Sequence, residues 1–349
     1  MPELKLTSRT HSVEDSVEAI EFCYRMGWTD GLPVVPPTAE RVAEFLANGG
    51  HEPGDVLGGV PDRRRVFTAE KVAINAVMAG CLPAYAPVVF AAVEAMSKPG
   101  LGLSGASAST GGAAILAVVS GPLAREIGLN GGGNALGPGA RANATIGRAL
   151  RLVLLNLGGA TPGVVDRSTL GHPGKYAFCL AEDEGASPWE PLRVDLGFPA
   201  EVSTVTVMAA EGPHQVSNHA SFDPEGLLLT FVVALGATSF AGAKYAVVIC
   251  PEHVAVLKRA GWSKRQVKEF LAANTWRSVA DLKRHGQLPG AIEEGDDERR
   301  RYLVADPEDF LVVVAGGEAG GFSAIIPPWA GGRQSLPQTQ PIGVCVDCN

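Results

Sequence analysis

Two cysteines at the C-terminal end, Cys345 and Cys348, stand at the Cys-x-x-Cys spacing. Thiols so spaced can close an intramolecular disulfide, and the motif commonly lowers the pKa of its first cysteine. The other four cysteines, Cys23, Cys81, Cys179 and Cys250, are scattered, so the pair points to electron or thiol transfer rather than to a closed metal site. A second group, Glu211-Gly212-Pro213-His214-Gln215-Val216-Ser217-Asn218-His219, follows an apolar run. Glu211, His214 and His219 could move protons as general acids and bases, and His214 with His219 could hold a metal, with Asn218 as a polar substrate contact. Cys250-Pro251-Glu252-His253 marks a third place, where a thiol at a helix start would gain thiolate character. Equally, Cys250 could simply close a buried strand.

A glycine-rich segment, residues 130–148, could supply substrate binding. Backbone N–H groups and the positive end of a following helix suit an anion. Asn134, Arg141, Asn143 and Arg148 are its polar members, and the two arginines suit a carboxylate or phosphate. Its spacing is neither a dinucleotide fingerprint nor a Walker loop, so no nicotinamide or flavin signature is present and the cofactor is left open. The alternative is close packing, with Asn143 as a helix cap. Asp30, in a rigid Gly- and Pro-rich loop with Trp28, either frames the site or forms a turn.

The elements that position these groups change character along the chain. Capping signals at residues 12–15, Thr38 and Thr68, with stops at Gly27, Gly49-Gly50 and Gly80, predict helices in the first hundred residues, and 85–96 reads as a fourth. From about residue 110, short apolar runs at 114–119, 202–208, 245–249 and 310–314 read as buried strands, each followed by a polar or Gly/Pro turn. Helices are expected at 224–235 and 263–274, and a surface excursion at 286–301. The expected class is α/β, a buried parallel or mixed sheet with flanking helices behind a helical N-terminal region. Two related halves are conceivable, although no convincing repeat is visible. The division expected is 1–157 as an N-terminal region, 158–200 as a linker or boundary, 201–342 as a second α/β region and 343–349 as a tail.

Composition bounds the function. The 349 residues are 46% hydrophobic and 19% charged, with 43 glycines and a net charge of −8. Such a balance disfavours nucleic acid, and Arg299-Arg300-Arg301 follows an acidic run that neutralises it. No apolar segment is long enough to cross a membrane, and a cytoplasmic protein with reduced cysteines is expected. Low charge and abundant Gly and Ala favour a homo-oligomer.

Four strings together carry a resemblance: residues 27–38 (Gly-Trp-Thr-Asp-Gly-Leu-Pro-Val-Val-Pro-Pro-Thr); the 131–148 loop ending Ala144-Thr145-Ile146-Gly147-Arg148-Ala149; Pro251-Glu252-His253 followed by Gly261-Trp262-Ser263; and Val314-Ala315-Gly316-Gly317. Over residues 12–342 the chain resembles a bacterial family associated with UGSC-type thiol-redox (seleno)proteins. The resemblance implies thiol or selenol chemistry with a small protein partner. An internal Cys-Gly-Ser-Cys string is missing here, so Cys345 and Cys348, or a separate thiol or selenol protein, would fill that role. Three functions follow as expectations: a thiol-dependent enzyme acting on a small anionic substrate, a non-redox lyase or hydrolase using the histidines, and a non-catalytic oligomeric subunit.

Overall fold

A computed structural model describes residues 5–239, 242–330 and 334–343. Cys345 and Cys348 lie outside the described residues. The strands in chain order are β1 (Val56–Val60), β2 (Arg65–Thr68), β3 (Ala114–Ser120), β4 (Cys179–Ala181), β5 (Thr204–Ala210), β6 (His214–Ser217), β7 (Tyr245–Ile249), β8 (Trp276–Ser278), β9 (Arg300–Tyr302), β10 (Phe310–Val314), β11 (Phe322–Ile326) and β12 (Gln338–Pro341). Two four-stranded mixed sheets dominate, ordered β12-β5-β3-β4 and β10-β7-β11-β6, beside the hairpin β1-β2 and the pair β8-β9.

The strands read as unbroken apolar runs because both of their faces are buried. In β3, Ile115, Ala117 and Val119 face the N-terminal helices. The alternate residues Leu116 and Val118 meet Ala246, Val248, Leu311 and Val313 of the other sheet. On β7 and β10, Val247, Ile249, Val312 and Val314 turn instead toward the helices of the second half. This period of two sets four layers: helices, sheet, sheet, helices. Helices Ala69–Ala79, Ala86–Ser97 and Arg141–Asn156 cover the first sheet, and Pro224–Gly236, Pro251–Arg259 and Lys264–Asn274 cover the second. None of the described helices is long and apolar enough to cross a membrane.

The two sheets repeat one pattern. In the first, β3 pairs parallel with β4 and antiparallel with β5, which pairs antiparallel with β12. In the second, β7 pairs parallel with β10 and antiparallel with β11, which pairs antiparallel with β6. The fourth strand of each sheet is exchanged: β6 follows β5 in the chain but joins the second sheet, and β12 follows β11 but joins the first. The 158–200 segment, read as a boundary, supplies β4 to the first sheet.

Local chemistry explains the ends. Asp15, rather than the preceding Ser12, caps the first helix (Ser16–Arg25), accepting from the amides of Val17 and Glu18. Thr38 caps the second by accepting from Arg41 N. Ser263 and Gln266 form a reciprocal capping box at the start of Lys264–Asn274.

Candidate functional site

A cavity of about 630 Å³ opens where β5 turns into β6. Three titratable side chains line it: His172, Glu211 and His214. Leu136 of the glycine-rich segment, Phe178, Ala234, Ala237 and Pro327 give it apolar walls. No lysine or arginine is among its described lining residues.

Each acid–base group is held by the backbone around it. Glu211 follows the last residue of β5, and its N–H donates to the carbonyl of Pro327 at 2.9 Å, which fixes the turn. Its carboxyl has no hydrogen-bond partner among the described residues. Although the residue reaches solvent at the cavity mouth, the walls partly desolvate that carboxyl and hold its pKa above the ordinary carboxylate value. His172 sits in a turn before β4. Its Nε2–H donates to the carbonyl of Ala210 (3.3 Å), while Nδ1 accepts from Gly174 N–H (3.2 Å). Both contacts are satisfied by the neutral ring. Burial, ahead of the charge of Lys175, lowers the His172 pKa, although the bond to Ala210 opposes it. Phe178 packs edge-on against the ring at 5.8 Å. His214 begins β6 and is exposed at the cavity.

A carboxyl pushed up and an imidazole pushed down bring the two groups toward a common range. Glu211, with its carboxyl unpartnered among the described residues, is the member free to exchange a proton, while both ring nitrogens of His172 are engaged by Ala210 and Gly174. The sequence marks Glu211 and His214 by their place at a strand end. His172, a weaker candidate in the Gly171-His172-Pro173-Gly174-Lys175 stretch of the boundary segment, is brought beside them by the pairing of β4 with β3.

The remaining expected site residues are dispersed. Arg148 and Asp30 grip each other through Nε–Oδ2 (2.8 Å) and Nη2–Oδ1 (2.7 Å), and Arg148 also donates to the carbonyl of Leu32. Arg141 donates through Nε and Nη2 to Gly80 O, at the end of Ala69–Ala79. Asn143 is buried inside its helix rather than capping it, and its side chain binds Asn130 N, Asn130 O and Ala135 O, so it shapes the glycine-rich segment. Asn134 adopts a left-handed backbone (φ 61°) and donates to Pro138 O. These polar groups are occupied within the protein, and that segment reaches the cavity only through Leu136.

Asn218 organises the turn after β6: its Oδ1 accepts from Ala220 N and Ser221 N, and its Nδ2 donates to Ser221 and Thr230. His219 lies two residues beyond the other end of β6 from His214, and the strand alone separates its first and last residues by roughly 10 Å at about 3.3 Å per residue. It packs edge-on against Phe322 at 4.7 Å and stands 4.0 Å from Glu252. The two histidines therefore do not converge. Among the described residues no group of three or more His, Cys, Asp or Glu side chains is placed to hold a metal. Cys250 is buried at the end of β7, where it caps Pro251–Arg259.

No family model, no curated protein and no solved structure matches the chain.

Proposed function

We propose that the protein is an acid–base enzyme acting on a small, partly apolar molecule in the cavity at the β5–β6 turn. The observation that carries this reading is a carboxyl with a raised pKa and an imidazole with a lowered one, both lining a single cavity of about 630 Å³. Glu211 is the proton-transferring group, since its carboxyl is unpartnered. His172 is held as a fixed neutral ring by Ala210 and Gly174, and His214 supplies a second exchangeable site at the mouth. Proton abstraction next to a carbonyl, elimination and hydrolysis all use such a pair. The lack of lysine and arginine among the described lining residues favours an uncharged or cationic ligand over an anionic one. This reading belongs to the lyase or hydrolase class; the dithiol reading depends on Cys345 and Cys348.

The test uses a panel of small carbonyl compounds in D₂O, with proton NMR following exchange of their C–H bonds. A compound that the native protein exchanges should lose that exchange by about a hundredfold or more with Glu211→Gln, the range typical of a removed general base. Exchange unchanged in Glu211→Gln overturns the assignment. So does a panel in which no compound shifts the His172 and His214 ring resonances.

A further inference from the structure

A second set of reactive side chains lies at the opposite end of β11 from the cavity. Cys250 is the N-cap of Pro251–Arg259, and His253 stands one turn further on; both are 2% exposed. Nε2 of His253 donates to the carbonyl of Asn218 at 2.9 Å, and this contact fixes the tautomer. Nδ1 is then the free lone pair of the neutral ring, and it meets the hydroxyl of Ser323 at 2.6 Å. That same hydroxyl oxygen accepts from Cys250 N–H at 3.0 Å. The thiol lies close enough to the His253 and Ser323 side chains for both to favour its ionised form. Nucleophile, base and a third group orienting the base are thus assembled in one place.

The three other described cysteines differ. Cys23, Cys81 and Cys179 are all buried, and burial pushes the last two thiols up to about 12. For Cys250 burial also acts upward, but the bonds from His253 and Ser323 outweigh it and leave the thiol below its ordinary value. The His253 ring is raised, with burial opposing and the bonds to Cys250 and Asn218 O prevailing.

A glycine-rich segment, residues 316–321, lies over Cys250 and His253. Gly316 N–H donates to Gly131 O (2.8 Å), Gly320 N–H to a carboxylate oxygen of Glu252 (2.7 Å), and Gly321 O accepts from Asn218 N–H (3.0 Å). Gly316 adopts φ +122°, and a Cβ there would lie 3.5 Å from that of Cys250. Few backbone bonds and four glycines make this cover a low-cost segment to lift.

We propose that Cys250 is a nucleophilic thiol, with His253 as its base, which exchanges with low-molecular-weight disulfides when the 316–321 cover lifts. His253 Nδ1 takes the thiol proton, and the imidazolium is held by Asn218 O. The thiolate sulfur attacks one sulfur of the disulfide R–S–S–R, forming Cys250–S–S–R as the R–S–S–R bond breaks. The departing R–S⁻ receives the proton back from His253 and leaves as R–SH. The site is separate from the acid–base cavity and stands without it. Besides His253, the groups facing Cys250 are Glu252 on its own helix, Ser323 on β11 and, through Glu252, His219; the Pro224–Gly236 helix offers only the apolar ring of Phe231 to His253.

The full chain is treated with an aryl disulfide that releases a coloured thiolate, and the modified cysteines are located by peptide mapping, which separates Cys250 from Cys345 and Cys348. Cys250 should be labelled ahead of Cys23, Cys81 and Cys179, with a rate inflection below the ordinary thiol pKa of about 8.5. His253→Gln should slow its labelling at neutral pH by about tenfold or more and move the inflection upward. Glu252→Ala, which releases Gly320, should accelerate labelling severalfold while the inflection stays low. A native protein in which Cys250 stays unlabelled, even with Glu252→Ala, overturns the proposal. An inflection unmoved in a folded His253→Gln protein does the same; should that variant not fold, the inflection of Glu252→Ala decides, and a value at or above about 8.5 is the refuting result.

Discussion

Replacing Arg148 by methionine should reveal whether its pairing with Asp30 holds the fold. The two side chains are 14% and 4% exposed and meet through two parallel hydrogen bonds of 2.8 and 2.7 Å. They join the 27–37 loop to the Arg141–Asn156 helix across 118 positions of sequence. Arg148→Met leaves the Asp30 carboxylate nearly buried with a single remaining donor, Leu32 N–H at 3.2 Å. An uncompensated buried charge of this kind costs about 3–5 kcal/mol. Partial solvent access on the Arg148 side places the expectation near the lower figure, about 3 kcal/mol. Asp30→Leu strands the guanidinium with the Leu32 carbonyl as its partner and should cost about 2–3 kcal/mol. The double variant, with two apolar side chains facing each other, should recover much of that, because well-packed apolar replacements of buried pairs are often close to neutral. Urea unfolding of the four proteins gives the coupling energy from a double-mutant cycle. Strict additivity, or a loss below about 0.5 kcal/mol for Arg148→Met, would refute a structural clamp and return Arg148 to the candidates for substrate binding.

Glu70, 1% exposed, accepts four hydrogen bonds from Thr7 and Ser8. Burial alone would raise its pKa, but those bonds prevail and lower it, so its contribution is complete above the ordinary carboxylate pKa and is lost as pH falls through the lowered value. Glu70→Gln should cost about 1–2 kcal/mol and speed amide exchange at Thr7 and Ser8; unchanged exchange counts against the tie. Gly147 lies in a helix, where alanine ordinarily gains about 1 kcal/mol. Here a Cβ would sit 2.6 Å from Phe178 N, so Gly147→Ala should lower stability by about 1–3 kcal/mol, and a stabilised variant in thermal melts would contradict the packing. Glu211 has the opposite sign to Glu70: its raised pKa means that stability declines as pH rises from the ordinary carboxylate value through the raised one. Melting temperatures across that interval should flatten in Glu211→Gln, and an unaltered slope argues against a desolvated carboxyl.

Strands buried on two faces were the most legible elements. The 245–249 and 310–314 runs coincide with β7 and β10, and 114–119 falls one residue short of β3. The 202–208 run precedes β5 by two residues, because Val202 and Ser203 belong to the preceding turn. Strands β6 and β12 are short and largely polar sheet edges, with no apolar run to announce them. In β11, Ser323 and the exposed Phe322 interrupt the pattern. Helix starts followed capping chemistry at Thr38 and Ser263, whereas at the first helix the Asp15 carboxylate does the work expected of Ser12. Glu211 and His214 were legible as candidates through polar density at a strand end. The placing of His172 beside Glu211 needed the fold, as did the pairing of Asp30 with Arg148 and that of Cys250 with Ser323, because no local spacing records contacts so far apart in sequence. His253 alone left a local trace, three residues after Cys250 on one helix face.

The exchange of β6 and β12 between the sheets bears on the order in which the chain can assemble during synthesis. The residues of β5 are made well before their neighbour β12: Thr206 and Thr339, bonded at 2.9 Å, are 133 residues apart. Until then the first sheet has an open edge, while β6 waits for β11. Neither half can complete its own sheet from its own residues, so a nascent chain carries an open edge on β5 and an unpaired β6 until β11 and β12 have been made. Contacts this remote fold slowly, and open edges invite pairing with other chains. Once both strands have crossed, each sheet is closed by the other half's strand, and separating the halves would require both to peel away together.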